Sequence, residues 1–408
     1  MAEFRLLKNI MYFLLFFIIL YFETLEFAGI KVALIWKGGL MIFLLSKFLL
    51  FKKPLFSKKY FFYGYLFNFK KIVTLSTFTS FSYSLLQMSR SIIFPILLSY
   101  FNSFYSNKKA LNIIKTLSVY VIISTIPFLL GLIDPLKQGY DLSRYGFDTF
   151  GFIGVFQNAH SASMTLSLSL LIIVYFLKYT ISNSQKIFYS VLILIGFYAL
   201  IQTYVRTGFA MFIVGIFLLY LYKVKISKIL RIIPFAAIVI VSLFSYYQSN
   251  ESLQMRFQEK NIWNQDNTVE FDNIGSGRFK IATYAITNWW DEGSLSIFIG
   301  LGEKLAREKM TNTKGSAIFA HNGFVEILQT DGIFGILLYL NFIFLMYKAI
   351  TQIKNKKSQY YKLVLALFFM YLTGMFFQGG DNFFIYILLA SSLSLINRGP
   401  VTIKNHRL

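Results

Sequence analysis

Cysteine is absent from the 408 residues, so this chain can build no disulfide and no cysteine-ligated metal site. Acidic residues are scarce, 18 against 40 Lys and Arg, and charged residues of both signs make up only 14% of the chain. Ordinary soluble domains carry about a quarter charged residues, so the low charge excludes that class. The excess of +22 is unaccompanied by an arginine-rich tail or an aromatic RNA-binding motif, so it does not point to nucleic acid. No His-Glu-x-x-His occurs. The segments read below as external also hold no Asp-x-Asp pair, so a divalent-metal mechanism has no obvious ligands. A phosphate-binding P-loop is missing too, which argues against an ATP-driven pump.

What the chain has in abundance is apolar sequence. Hydrophobic residues reach 56% and aromatics 19%, and runs of bilayer-spanning length recur from end to end. The expected fold class is all-α, a polytopic transmembrane protein forming one integral membrane domain over residues 1–408. The N-terminal run over residues 1–21 has no small-residue cleavage site before Glu23 and is expected to be a retained first span. About twelve spans are predicted, at 9–22, 33–51, 72–88, 91–106, 118–134, 160–178, 187–204, 207–222, 232–247, 332–350, 361–378 and 382–397. The third is polar, with Thr74, Ser76, Thr77, Thr79, Ser80 and Ser82. The fourth is short and contains Pro95, so both are candidates for partly buried or re-entrant segments.

Lysines set the orientation. Lys52, Lys53, Lys58, Lys59, Lys70 and Lys71 fall in one predicted loop. Lys108, Lys109 and Lys115 fall in another, and further basic loops hold Lys178 with Lys186, Lys223 to Arg231, and Lys354 to Lys362. All lie on the side of Arg5, Lys8 and the basic C-terminal tail, which the positive-inside rule makes cytoplasmic. Most acids, from Glu23 to Asp381, fall on the opposite face. The expectation is an inner-membrane protein with both termini in the cytoplasm.

The external face carries two long polar stretches, 134–158 and 247–331, the second of about 85 residues between the ninth and tenth spans. Loops of that length tend to carry function. Within the second, 276–290 reads as a helix with Ser276 as N-cap and Phe279, Ala282, Ile286 and Trp290 on one stripe. His321 is followed by Phe324, Val325 and Leu328 at helical spacing, as if the four shared one face, and Gly332 is a helix stop. Arg206 sits in a tight turn between two spans, either as an anion partner or as a snorkelling interface anchor. Arg278 lies in the first turn of the loop helix, where backbone N–H groups add positive potential, and the alternative is a solvated surface arginine. Histidine side chains ordinarily titrate at about pH 6.5, in the range that suits acid–base work at neutral pH, and His321 is the histidine placed for it. A structural histidine at a helix start is the plain alternative, and His160 at the mouth of the sixth span competes with it.

Several short motifs occur in order over residues 150–345. They are Gly151-Phe152-Ile153-Gly154-Val155-Phe156-Gln157-Asn158, Arg206-Thr207-Gly208, Ser276-Gly277-Arg278 with Trp289, Gly300-Leu301-Gly302, His321-Asn322-Gly323-Phe324 and Asp331-Gly332-Ile333-Phe334-Gly335. In this the chain resembles the O-antigen polymerase and O-antigen ligase superfamily of bacterial envelope enzymes. The resemblance implies a GT-C-like fold and metal-independent, inverting glycosyl transfer at the periplasmic face, with no cofactor. The implied donor is an undecaprenyl-pyrophosphate-linked oligosaccharide, and the implied partners are membrane lipids and a chain-length regulator protein. Carried onto this sequence, it implies that Arg206 and Arg278 neutralise pyrophosphate charge and that His321 is the base. Asn322, Asn158 and His160 would position substrate. Polymerase is preferred over ligase because such polymerases are numerous and vary widely in sequence. A lipid-linked oligosaccharide flippase is the rival of a different class, but it should place charge inside its spans.

Overall fold

The structure is a computed structural model that describes residues 2–27, 30–55, 58–74, 81, 88–136, 151–221, 245, 248–249, 278–310, 320–352, 359–379 and 383–395. Apart from a two-residue antiparallel ladder, Glu26–Phe27 (β1) against Ile30–Lys31 (β2), the regular elements among these residues are helices. In chain order they are α1 (Ala2–Tyr21), α2 (Val32–Leu50), α3 (Lys59–Lys70), α4 (Ile93–Phe104), α5 (Asn107–Ile123), α6 (Ile126–Leu129), α7 (Ala159–Tyr179), α8 (Asn183–Gln202), α9 (Arg206–Ile216), α10 (Arg278–Asp291), α11 (Ser294–Ile299), α12 (Gly302–Lys309), α13 (Gly323–Thr351), α14 (Gln359–Gln378) and α15 (Phe383–Ser394).

Six stretches among the described residues are long and apolar enough to cross a bilayer: α2, α5 with α6, α7, α8, α13 and α14. They account for six of the expected spans. Three more, 9–22, 207–222 and 382–397, correspond to the shorter apolar helices Leu7–Tyr21, Arg206–Tyr220 and Phe383–Ser394. The expected span 91–106 appears as α4, only 12 residues long. Most of the expected spans 72–88 and 232–247 lies outside the described residues.

The chain divides into two compact units, one formed by Met1–Val32 and Ser118–Phe279, the other by Ala33–Leu117 and Lys280–Leu408. In the first unit α7 is the central helix, with 72% of its apolar window buried. Small residues bring its neighbours close. A Cβ on Gly208 of α9 would stand 2.8 Å from the Ser163 side chain and 2.9 Å from its carbonyl. Ser167 Oγ lies 2.7 Å from both Ser163 O and Gly208 O, which share its one hydroxyl proton. This is how membrane helices associate where lipid removes any hydrophobic preference between them: small side chains, close backbones and short polar links.

In the second unit α13 is the organising element, and it is broken. Gly332 adopts φ 65° and ψ −170° inside it. The second arm, 333–351, is about 28 Å long at 1.5 Å per residue, close to the hydrocarbon thickness. The first arm, 323–331, is therefore a separate short helix. Gly332 ends it in the left-handed region, as its sequence position led one to expect. A Cβ there would stand 2.5 Å from Phe298 O, and one on Gly300 (φ 82°) would stand 2.3 Å from Thr330 O. Two backbones pass in contact at this point because neither carries a side chain. Leu301 N donates to Gln329 O at 2.9 Å and satisfies one carbonyl freed by the break.

Three sequence expectations need correction. Residues 52–71 are not one polar loop: 59–70 is a helix whose Tyr60, Phe61, Tyr65 and Phe67 are buried, and its last residue and Lys71 meet Asp331. Lysines assigned to one face and an acid assigned to the other therefore share one place. The rule that sorts lysines by side counts charges in loops and cannot see a lysine neutralised by a distant acid. Lys108, Lys109 and Lys115 likewise belong to helix α5 rather than to a loop. The stripe of α10 is displaced by one residue. Ala285 and Trp289 are buried, and Ile281 packs with Ala285, Met310, Ala320 and Val325. Ile286 and Trp290 are 40% and 60% exposed. A one-residue step turns a helix by about 100°, enough to exchange faces.

Gly332→Ala places a Cβ against backbone and forces a left-handed conformation costing about 1–2 kcal/mol by itself. It should lower the thermal midpoint in detergent sharply or prevent folding. Gly39→Ala in α2, where a Cβ meets nothing within 4 Å, should leave the midpoint unchanged or raise it. Equal midpoints for the two variants would refute the close-approach account of the break.

Candidate functional site

The first arm of α13 is set by its cap. Asn322 is the N-cap, and its Oδ1 accepts from Phe324 N at 3.0 Å and Val325 N at 3.2 Å. These are two of the backbone donors left over at any helix start. His321 stands one residue before the cap, half-buried, with a left-handed φ of 50°. It therefore does not share a helix face with Phe324, Val325 and Leu328, as spacing alone had suggested. Only three non-glycine residues among those described are left-handed, namely Lys52, Tyr204 and His321. Backbone strain of this kind gathers at functional positions; His321 opens its motif, and Tyr204 lies two residues before Arg206.

Two residues after His321, Gly323 opens onto a cavity of about 180 Å³ in the second unit. A Cβ on Gly323 would strike Met375 of α14 at 2.6 Å, so glycine lets the first arm sit against that helix. The wall includes Asn68 and Lys71 from the end of α3, Glu303 from α12, and Glu326, Thr330 and Asp331 from the first arm. Its floor is aromatic: Phe67 lies 5.2 Å from Tyr339, Phe94 lies 5.9 Å from Phe342, and Tyr339 shares a 2.8 Å hydrogen bond with Tyr371.

Asp331, 1% exposed, closes one side. Lys70 Nζ is 3.8 Å from its Oδ1 and Lys71 Nζ 3.4 Å from its Oδ2, and Thr330 Oγ1 donates to Oδ2 at 2.9 Å. Lys70 also donates to Asp331 O and, at 2.5 Å, to Ile299 O. One ammonium thus stitches α3 to both backbones that cross at Gly332. Burial pushes the Lys70 amine down to about 8, with the Asp331 carboxylate pulling the other way. Such a pair is expensive to break from one end, because the remaining charge stays buried.

The other expected residues fall as follows. Arg206 is the first residue of α9 and is half-buried. Asn158 is the N-cap of α7, its Oδ1 accepting from Ser161 N at 2.8 Å, and His160 is the second residue of that helix. Ile153, Ala159 and Val205 form one buried cluster, and Phe152 N donates to Gln202 O at 2.7 Å. The 151–158 motif and the Arg206 turn are therefore neighbours within the first unit. Arg278 is the first residue of α10, while Ser276 and Gly277 lie outside the described residues. In the second unit the structure joins the Gly300, His321 and Asp331 motifs. Asn68, Lys70 and Lys71 were missed by sequence reasoning. Their only signal was a lysine pair and an amide ending an aromatic-rich run too polar to resemble a span.

These elements define a multi-pass helical membrane protein with a polar cavity beside a broken helix. Residues 190–340 match the family model described as O-antigen ligase, and this match supports the O-antigen polymerase and ligase superfamily, whose members are glycosyltransferase-like enzymes. No curated protein matches the chain. The matched stretch contains Arg206, Arg278 and His321 and stops short of α3 and of the 151–158 motif.

Asp331→Leu should destabilise the protein by about 3–5 kcal/mol, since it strands a buried lysine. Lys70→Met combined with Asp331→Leu should recover part of that loss, as thermal unfolding of the four proteins of the cycle would show. The pH dependence has a definite sign. The folded state holds fewer protons on Lys70 than the unfolded chain does between about 8 and the ordinary lysine value. Wild-type stability relative to Lys70→Met should therefore rise as pH increases through that window, and a fall would contradict the burial of the amine.

Proposed function

We propose that this protein is a polysaccharide polymerase of the O-antigen type. It joins oligosaccharide repeat units carried on undecaprenyl pyrophosphate at the periplasmic face of the bacterial inner membrane. The observation that carries the glycosyl-transfer reading is the O-antigen ligase match over 190–340, the segment that contains Arg206, Arg278 and His321.

In this reading a hydroxyl oxygen of the acceptor sugar attacks the anomeric carbon of the donor glycan. The bond from that carbon to the pyrophosphate oxygen breaks, and undecaprenyl pyrophosphate leaves. His321 takes the hydroxyl proton, and one displacement inverts the anomeric centre. Arg206 and Arg278 stabilise the departing pyrophosphate, a task suited to guanidinium because it is always charged and binds phosphate bidentately. The arginines take the part that a divalent cation plays elsewhere, so the reaction needs no metal. Asn322 caps the helix start that follows His321, and Asn158 caps α7, where His160 belongs with the substrate-binding group. A chain-length regulator would act on the same product.

The second reading is a ligase that transfers the glycan to a lipid A–core. It differs only in acceptor, and the family match supports the polymerase and ligase class without choosing between the two. Protein in liposomes supplied with lipid-linked repeat units and no core acceptor decides between them. Laddered products are expected, whereas products formed only after adding lipid A–core would establish the ligase. His321→Ala and Arg278→Ala should each lower turnover by about 10²–10⁴ without changing the thermal midpoint, and EDTA should not slow the reaction. Near-wild-type turnover in both variants would overturn the residue assignment.

A further inference from the structure

The cavity beside the first arm of α13 contains an atom whose chemistry no structural role uses. Asn68 is 3% exposed. Its Nδ2 donates to Gly64 O at 2.7 Å within α3, whereas its Oδ1 is buried with no hydrogen-bond partner. Buried polar atoms are almost always satisfied, and one that is not costs free energy. Asn68 lines the cavity, so a ligand there can supply the missing donor.

The surroundings specify which ligand. An anion is disfavoured, because the orphan atom is an acceptor and the wall's one lysine, Lys71, is already paired with Asp331. A metal ion is disfavoured as well: among the described residues no three His, Asp or Glu side chains group together, and Glu303 is paired with Arg307. The remaining requirement is a neutral molecule that donates hydrogen bonds to an amide oxygen and carboxylates at its rim and rests an apolar face on Phe67, Phe94 and Tyr339. A sugar ring has these properties, with equatorial hydroxyls at its edge and C–H groups on its faces. At roughly 10–15 Å³ of such space per water-sized group, 180 Å³ accommodates on the order of a dozen, about the heavy-atom count of one hexose.

We propose that this cavity is a saccharide subsite in which Asn68 Oδ1 accepts a hydrogen bond from a ring hydroxyl, with Glu326 and Thr330 as further hydroxyl partners. Its assignment to the acceptor glycan rests on the glycosyl-transfer reading above, whereas its affinity for a sugar does not. His321 lies one residue before the Asn322 cap and Gly323 lines the cavity, so a sugar held there is close in the chain to the residue proposed to take its proton.

The test uses the full chain in lipid nanodiscs and a panel of methyl glycosides of common hexoses and N-acetylhexosamines, read by saturation-transfer NMR. At least one glycoside should bind the wild type, and Asn68→Leu should weaken that binding about tenfold. Its thermal midpoint should stay the same or rise, because the variant removes an unsatisfied buried acceptor. No binding by any glycoside, equal binding by Asn68→Leu, or a failure of Asn68→Leu to fold would each overturn the proposal, the last by making Asn68 structural. The polymerisation assay separates the two levels. Sugar binding that depends on Asn68 without glycosyl transfer would sink the function and keep the subsite. Transfer with an acceptor KM unaltered by Asn68→Leu would keep the function and sink the subsite.

Discussion

The second unit depends on a crossing of two backbones at Gly300 and Gly332. A helix interrupted within a membrane protein exposes carbonyls that lipid cannot satisfy, so an interruption survives only where protein supplies donors. Leu301 N supplies one to Gln329 O, and the Lys70 ammonium supplies others to Asp331 O and Ile299 O. Glycine at both crossing points is a steric requirement, since a Cβ on either would stand well inside contact distance of the opposite main chain. The break makes the short arm 323–331 independent of the long arm. That independence places a capped helix start, with His321 ahead of it, beside a polar cavity.

Lys70 and Lys71 show how buried charge serves this architecture. Asp331 alone at 1% exposure would be prohibitively placed, and two lysines with the Thr330 hydroxyl make it tenable. The cluster belongs to three elements far apart in sequence, α3, the Gly300 loop and α13, and it holds them in register. Charge inside a helical membrane protein is often read as a transport path. Here it is locked into fixed pairs and backbone contacts, which suits a scaffold for a site better than a moving carrier.

Asparagine does different work at three positions. Asn158 and Asn322 spend their Oδ1 on helix caps, which fixes the placement of the residues beside them. Asn68 spends its amide N–H₂ within its own helix and leaves Oδ1 for the cavity. Residue type at the mouth of a site therefore says little until its hydrogen bonds have been assigned.

By itself the sequence determined the all-helical membrane class, six of the expected span positions, the left-handed stop at Gly332 and the presence of the Arg206, Arg278 and His321 motifs in the stretch that the O-antigen ligase match covers. These follow from local properties: apolar run length, hydropathy and the conformational freedom of glycine. Only the tertiary structure decided that α3 is a buried helix, that Lys70 and Lys71 meet Asp331, and that α10 buries Ala285 and Trp289 rather than Ile286 and Trp290. Each of those depends on a partner hundreds of residues away or on a rotation of a single residue. No local pattern encodes a salt bridge between residues 70 and 331, because the energy that makes a charged, aromatic-rich segment tolerable inside the protein lies in the residue it meets.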